Sequence, residues 1–440
     1  MEEFIIYSIV GLLCFGIVYI YLRKLKKESD VVGEKIEKAK EEGIHEPVSL
    51  YPYIDEDNCI KSGACITACP EKDIIGIRNG RATLVNASRC IGHGACFHAC
   101  PVEAISLKIG TEKRGVDLPH VNQNFETNVQ GIFIAGELGG MGLIKNSVEQ
   151  GRQAADYIFA SLDKGHTLSY DLIVIGAGPA GISASLQAKK IGMKALVLEQ
   201  DTLGGTVYNF PRAKIVMTSP MDLPCHGKVK LFQTSKDELL TLWNEVISKN
   251  EIQIIEHSKV ELIGKTSGGF ELTTLDGRKY TTNKVLLAIG RRGTPRKLGV
   301  TGEGMEKVAY KLLEPELIES KNILVVGGGD SAIESALLLA DDNKVTLSYR
   351  SDKFNRLKPK NSENIEKAML SGKVLVLFES NIKEITQTKV HLHVKDKSEL
   401  SLDNDLVYIF AGGELPTQFL EKSGVQISKR FNYTMLSHKK

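Results

Sequence analysis

Six of the eight cysteines in this 440-residue chain lie between Cys59 and Cys100. They form two copies of one motif, C-I-x-x-G-A-C-x-x-x-C-P: CIKSGACITACP from Cys59 and CIGHGACFHACP from Cys90. Thiols this dense form disulfides or hold metal, and the reducing compartment argued below favours metal. Zinc sites use shorter C-x-x-C knuckles, and zinc explains neither the Cys59-to-Cys65 spacing nor the proline after each last cysteine. A metal centre other than a plain zinc knuckle is the expected occupant. A second kind of chemistry is written in glycines. Gly176, Gly178 and Gly181 form G-x-G-x-x-G inside DLIVIGAGPAGISASLQAKKIGMKALVLEQ. Gly327, Gly329 and Ala332 form the G-x-G-x-x-A variant inside NILVVGGGDSAIESALLLADDNKVTLSYR. Such loops bring backbone close to a dinucleotide diphosphate at a helix N-terminus.

The elements around these loops have the required order. Asp171–Ile175 is a buried strand, Ala180–Ile191 has helical spacing, and Lys194–Leu198 is a second strand ending at Glu199. Gly176 permits the turn, Gly178 admits the diphosphate, Gly181 lets helix meet strand, and Glu199 is placed to accept from ribose hydroxyls. At the second fingerprint the strand Lys344–Tyr349 ends with Arg350 instead of an acid, and Lys353 and Arg356 follow. An acid there binds the 2′-hydroxyl of NAD, whereas arginine pairs a 2′-phosphate, so NADPH is favoured over NADH; Arg350 as a plain surface base is the alternative.

The cysteine run resembles that of bacterial two-cluster ferredoxins, C-x₂-C-x₂-C-x₃-C-P. On that overlay Cys59, Cys65 and Cys69 fill the first, third and fourth positions of one copy, and Cys90, Cys96 and Cys100 those of the other. The second position is Ser62 in one copy and His93 in the other. Because the fourth cysteine of each run serves the other cluster, the resemblance implies one site of Cys59, Cys65 and Cys100 and another of Cys90, Cys96 and Cys69. Each is one thiolate short of a 4Fe-4S set. Three arrangements are open: a 3Fe-4S cluster, nitrogen ligation by His93 that would raise the potential, or an oxygen or open iron at Ser62. His93 as an ordinary loop residue is equally open.

From near Gly115 towards the C-terminus the chain resembles the thioredoxin-reductase-like flavoproteins. The resemblance rests on the first fingerprint, on Leu203-Gly204-Gly205-Thr206, on VLLAIG (Val285–Gly290) with Pro295 and Gly302-Glu303, and on Gly328-Gly329-Asp330-Ser331-Ala332. It implies FAD at the first fingerprint, with Gly204, Gly205 and Thr206 beside it, and a nicotinamide dinucleotide at the second, held by Gly327, Gly329, Asp330, Ser331 and Ala332. The family's C-x-x-C is missing: the stretch before the second fingerprint reads AYKLLEPELIESK. Cys225 is the one thiol outside the repeat and the N-terminal apolar stretch, and a lone cysteine is usually a small structural hydrophobe. Residues 130–160, QGIFIAGELGGMGLIKNSVEQGRQAADYIFA, look like the family's last flavin element, out of order. Gly136 and Glu137 would meet the ribityl–phosphate region, and Leu143 and Ile144 would start the helix facing the flavin. A circular permutation accounts for this; an unrelated strand–helix pair extending the cysteine domain is the alternative.

Phe4–Leu22 is 19 uncharged residues, roughly 29 Å as a helix and enough to cross a bilayer. Glu2 and Glu3 precede it, and Arg23, Lys24, Lys26 and Lys27 follow. The positive-inside bias puts the N-terminus out and the remainder in the cytoplasm of a single-pass cell-membrane protein. A cleaved signal would need a basic start and a small-residue cleavage site. Net charge is only +2 and aromatics do not alternate with basic residues, so nucleic acid is excluded as a partner.

The expected fold is α/β: two Rossmann-like dinucleotide-binding domains after a small α+β ferredoxin-like iron–sulfur domain and one transmembrane helix. The segments are 4–22 (membrane helix), 23–48 (charged linker), 49–110 (iron–sulfur), 111–160 (permuted FAD segment), 168–305 (FAD), 306–425 (NAD(P)) and 426–440 (tail). The expected activity is electron transfer between NAD(P)H, FAD and iron–sulfur clusters, with a quinone or protein acceptor and no protein acid, base or nucleophile. A homodimer is left open. The rivals are a reductase of a small disulfide or other small substrate without a C-x-x-C, and a non-catalytic redox sensor or adaptor.

Overall fold

The structure is a computed structural model. It describes every residue except 1, 42–44, 48–49, 72, 91, 93, 141, 164, 166, 210–214, 218–219, 232, 292–293, 355–356, 396, 415 and 439–440. His93 and Arg356 therefore lie outside the described residues. The chain divides into two compact units, Met1–Val116 with Arg430–Lys440, and Asp117–Lys429.

The first unit begins with α1, Glu2–Glu41, a 40-residue helix about 60 Å long. Its first half is apolar and exposed, as at Leu12, Phe15 and Ile17. Its second half is docked. Ile36 and Ala39 are buried, and Val32 occupies the space above Gly76, where a Cβ would lie 2.8 Å from Val32 Cγ1. The segment expected as a charged linker over 23–48 is helical as far as Glu41, and one of its faces is docked. Positions 32, 36 and 39 recur at helical spacing, share one face and bury it on the hairpin of β2 (Ile75–Arg78) and β3 (Arg81–Leu84). Lys35 adds an ion pair to Asp73 at 2.5 Å.

β1 (Tyr51–Ile54) pairs antiparallel with β4 (Ile105–Ile109). Helix α2 (Ala64–Ala68) follows the first cysteine loop, and α3 (Ala95–Ala99) the second. The segment expected as a tail from residue 426 contains two strands, Ile427–Arg430 and Tyr433–Leu436. Tyr433–Leu436 adds to β4 as the third strand of the sheet. An uncovered β4 edge would leave a row of backbone groups unpaired. Gly110, at φ +72°, permits the close approach: a Cβ there would lie 2.7 Å from Arg430 O.

In the second unit β5 (Val116–Pro119) pairs with Ile427–Arg430 at the unit boundary. β7 (Tyr170–Ile175) lies parallel between β8 (Ala195–Leu198) and the strand Lys279–Leu287. β6 (Ile132–Ile134) pairs in parallel with that last strand, with Ile132 opposite Val285 and Ile134 opposite Leu287. β6 therefore belongs to the sheet of the first fingerprint. Helix α4 (Ile144–Ala160) packs on α5 (Pro179–Lys190) through Ala154, Ala155 and Ile158 against Ala180, Ala184 and Ala188. Side chains this small let the two backbones come close.

A second, parallel sheet runs Val308–Ala309, Leu406–Ile409, Asn322–Val326, Lys344–Ser348 and Val374–Leu377, with the second fingerprint at its centre. The boundary expected at 425 is corrected. Leu420 and Val425 are buried in the core of the first sheet with Ile134 and Leu287, so the chain has already returned there.

Candidate functional site

Cys59, Cys65 and Cys100 line one small pocket, with Ser62 on its wall. Cys65 feels the charges of Cys59 and Cys100; Cys90 feels that of Cys69, and Cys96 those of Cys90, Cys69 and Cys65. Cys59, Cys65 and Cys100 thus share one pocket, and Cys96 lies near Cys90, Cys69 and Cys65. Gly63 and Gly94, the glycine of each repeat, take left-handed φ of 70° and 77° at the starts of α2 and α3.

Burial pushes the Cys90 thiol up to about 11 and the Cys96 thiol up to about 12, and neighbouring thiolates add to the rise. Such thiols stay protonated at neutral pH until a cation replaces the lost water, and metal binding displaces their protons. Backbone amides already point at sulfur: Ala82 N donates to Cys59 Sγ at 3.4 Å, Gly92 N to Cys90 Sγ at 3.4 Å and Ala104 N to Cys100 Sγ at 3.3 Å. N–H···S bonds of this kind tune cluster potentials. Among the described residues no three ligand-type side chains meet at a single point. Cys59, Cys65 and Cys100 surround a shared pocket instead, as ligands of a polynuclear cluster would, and the soft thiol donors fit such a group.

The first glycine loop separates into three roles. A Cβ on Gly176 (φ +105°) would lie 2.6 Å from Ala288 O, and one on Gly181 would lie 1.9 Å from Gly176 O. One on Gly178 would meet nothing within 4 Å. The outer glycines serve chain packing, and the middle one faces open space at the start of α5, which carries no side-chain cap. That leaves backbone amides for a diphosphate. Glu199 is buried; its Oε2 accepts from Ala177 N at 2.6 Å and its Oε1 from Asp201 N at 2.9 Å. Burial raises its pKa and the two amides oppose that rise. Glu199 is thus a strut for the glycine turn as well as a ribose candidate, since each oxygen keeps a second lone pair. Gly204 N donates to Ala177 O at 3.0 Å, a Cβ on Gly205 would lie 3.5 Å from Gly178 Cα, and Thr206 is exposed.

The preceding segment closes on the same loop. Gly136 (φ +85°) donates its N–H to Gln150 Oε1 at 2.8 Å, and a Cβ on it would lie 3.1 Å from Ala180 Cβ. Glu137 opens the short 3₁₀ turn that follows. Leu143 caps α4 at φ 92°, an unusual conformation for a non-glycine residue, and Ile144 begins the helix. Gly151 was missed in the sequence. A Cβ there would lie 2.1 Å from Ala180 O, and its signal is a glycine in mid-helix. Ser183 Oγ donates to Val148 O at 2.6 Å and reinforces the α4–α5 contact.

At the second loop, a Cβ on Gly327 (φ +141°) would lie 2.6 Å from Phe410 O, Gly329 faces open space and Ala332 is buried. Gly328, whose Cβ would lie 2.2 Å from the Tyr349 ring, also has a steric duty. Gly329 caps α6 (Asp330–Leu339). Asp330 Oδ1 accepts from Lys358 N at 2.9 Å and from Asn361 Nδ2 at 2.7 Å, which ties α6 to α7 (Pro359–Leu370). Ser331 and Arg350 are exposed.

A family model described as pyridine nucleotide-disulphide oxidoreductase matches residues 173–439, and one described as a 4Fe-4S dicluster domain matches residues 51–101. The chain is 29% identical over 262 residues to bacilliredoxin reductase Bdr of Bacillus subtilis (strain 168), covering 58% of this chain and 81% of that one. It is 30% identical over 263 residues to a ferredoxin–NADP reductase of Ignicoccus hospitalis, covering 58% and 82%. Among solved structures it is similar to a bacillithiol disulfide reductase from Bacillus cereus, at 26% identity and a TM-score of 0.52, covering 58% and 82%. The chain belongs to the pyridine nucleotide-disulphide oxidoreductase family, as an FAD- and NADP-dependent oxidoreductase that carries a 4Fe-4S dicluster domain ahead of its dinucleotide domains.

Proposed function

We propose that this chain is a membrane-anchored reductase that moves electrons between NADPH, FAD and two iron–sulfur clusters, exchanging them with a quinone or protein partner. The carrying observation is the pairing of two dinucleotide loops with two groups of three thiols, in a chain without the C-x-x-C of its thioredoxin-reductase-like relatives. Bound flavin supplies the conversion between electron pairs and single electrons. The protein's part is binding and positioning. The α5 N-terminus with Gly178 binds the FAD diphosphate, and Glu199 holds the turn and reaches the ribose. The α4 N-terminus at Leu143–Ile144 stabilises negative charge on the flavin. Gly329, Asp330 and Ser331 take the nicotinamide dinucleotide, with Arg350 and Arg356 for its 2′-phosphate. The pairing of β6 and the docking of α4 support a circular permutation, in which the family's last flavin element stands ahead of the first fingerprint.

The exposed apolar half of α1 anchors the chain, and the basic run from Arg23 keeps the domains on the cytoplasmic side. Membranes carrying the full chain should oxidise NADPH faster than NADH with ferricyanide as a one-electron acceptor. Deleting residues 2–22 should release that activity into the soluble fraction. Cys225→Ser should leave turnover unchanged, because Cys225 has no thiol partner in sequence reach and its Sγ donates to Leu186 O at 3.4 Å. No flavin reduction by either nicotinamide would sink the proposal. Loss of turnover in Cys225→Ser would favour a disulfide reductase.

A further inference from the structure

The Cys59/Cys65/Cys100 pocket is also lined by Ser62, which is exposed and accepts a long bond, 3.5 Å, from Ala64 N. Ile60 and Val102 border the same cavity and are 62% and 38% exposed, so it opens at the surface. A serine hydroxyl is neutral at physiological pH, whereas iron in a cluster prefers soft thiolate donors. Three protein thiolates can fix three irons of a four-iron cluster and leave the fourth without a strong protein ligand. We propose that the cluster in this cavity carries one labile iron on the Ser62 side, with an exchangeable position that takes a small soft donor from solution, a monothiol above all.

This deepens the iron–sulfur reading and rests on it. Mild oxidation makes the lability visible. [4Fe–4S]²⁺ gives one electron to ferricyanide and releases one Fe²⁺, leaving [3Fe–4S]⁺; added Fe²⁺ and one electron from dithionite reverse the step. The test uses anaerobically purified full-length protein, with released iron counted by a chelator and three-iron spins by electron paramagnetic resonance. Ser62→Cys should lower both counts by one per chain, while Ser62→Ala should match the wild type. Equal counts in wild type and Ser62→Cys overturn the proposal. A second measurement survives poor folding of Ser62→Cys. In a His93→Cys background, which completes the four-cysteine run of the second repeat, added 2-mercaptoethanol should shift the spectrum of the reduced protein; an unshifted spectrum overturns the proposal. Wild-type protein without iron overturns the cluster reading itself, a result distinct from an iron-loaded protein in which Ser62 makes no difference.

Discussion

Replacing Gly151 by alanine tests whether a helix that precedes the first fingerprint in sequence helps to build the FAD site. The new methyl would lie 2.1 Å from Ala180 O and 2.9 Å from Ala180 C. Both are backbone atoms in the first turn of α5, so no side chain can swing away. Ordinary contact begins near 3.4 Å, so α4 and α5 must part by about 1.3 Å. That parting loosens Ala154, Ala155 and Ile158 from Ala180, Ala184 and Ala188 and strains the Ser183 bond to Val148 O. Overpacking of this kind costs about 1–3 kcal/mol. If the strain falls on the holo conformation, FAD affinity drops by about 5- to 150-fold. Flavin titration into apoprotein reads the affinity, and thermal unfolding reads the stability. Gly264→Ala is the control, because its Cβ would meet Glu271 O at an ordinary 3.7 Å. Gly151→Ala with wild-type FAD affinity and wild-type melting would refute the reasoning.

Gly178→Ala should behave differently. Its φ of −81° suits any residue and its Cβ would enter open space, so melting should not move while FAD affinity falls by about tenfold or more, read by the same titration. Arg350→Ala should raise the KM for NADPH about tenfold and leave that for NADH unchanged, because an exposed charge-assisted pair is worth the low end of its range. Glu303 accepts from Leu298 N at 2.6 Å, Gly299 N at 2.8 Å and the Tyr310 hydroxyl at 2.5 Å. Partial burial pushes its carboxyl upward, but these bonds hold it below its ordinary value of 4.5. Its stabilisation is therefore present above about pH 4.5 and is lost as pH falls through the lower folded value. Glu303→Gln should cost about 1–2 kcal/mol at neutral pH, and the gap in denaturant midpoints should close in acid.

The glycine loops were readable because their chemistry is local: strand, turn and helix lie within thirty or so residues of chain. The meeting of Cys59, Cys65 and Cys100 at one pocket was readable because the repeat carries the pattern of two-cluster ferredoxins. What the sequence hid is set by distant contacts. Nothing near Tyr433 announces that it will pair with β4 opposite Ile109, far back along the chain. The docking of α1 is written in Val32, Ile36 and Ala39, but a field of lysine and glutamate masks it, and its counterpart is a single glycine, Gly76. Glu199 looked free for ribose because its binding of the Ala177 and Asp201 amides depends on how the turn folds back over its own strand end. Leu420 and Val425 follow the second sheet directly in sequence, yet they join the first core, because burial follows the path of the chain and not its motifs.

Anaerobic stopped-flow mixing of the full-length protein with NADPH tests the central claim most directly. The account predicts loss of oxidised flavin absorbance first, then bleaching of the iron–sulfur absorbance as single electrons leave the flavin, with slower progress when NADH replaces NADPH. Flavin that bleaches while the clusters stay oxidised, or clusters reduced while the flavin is untouched, would contradict it.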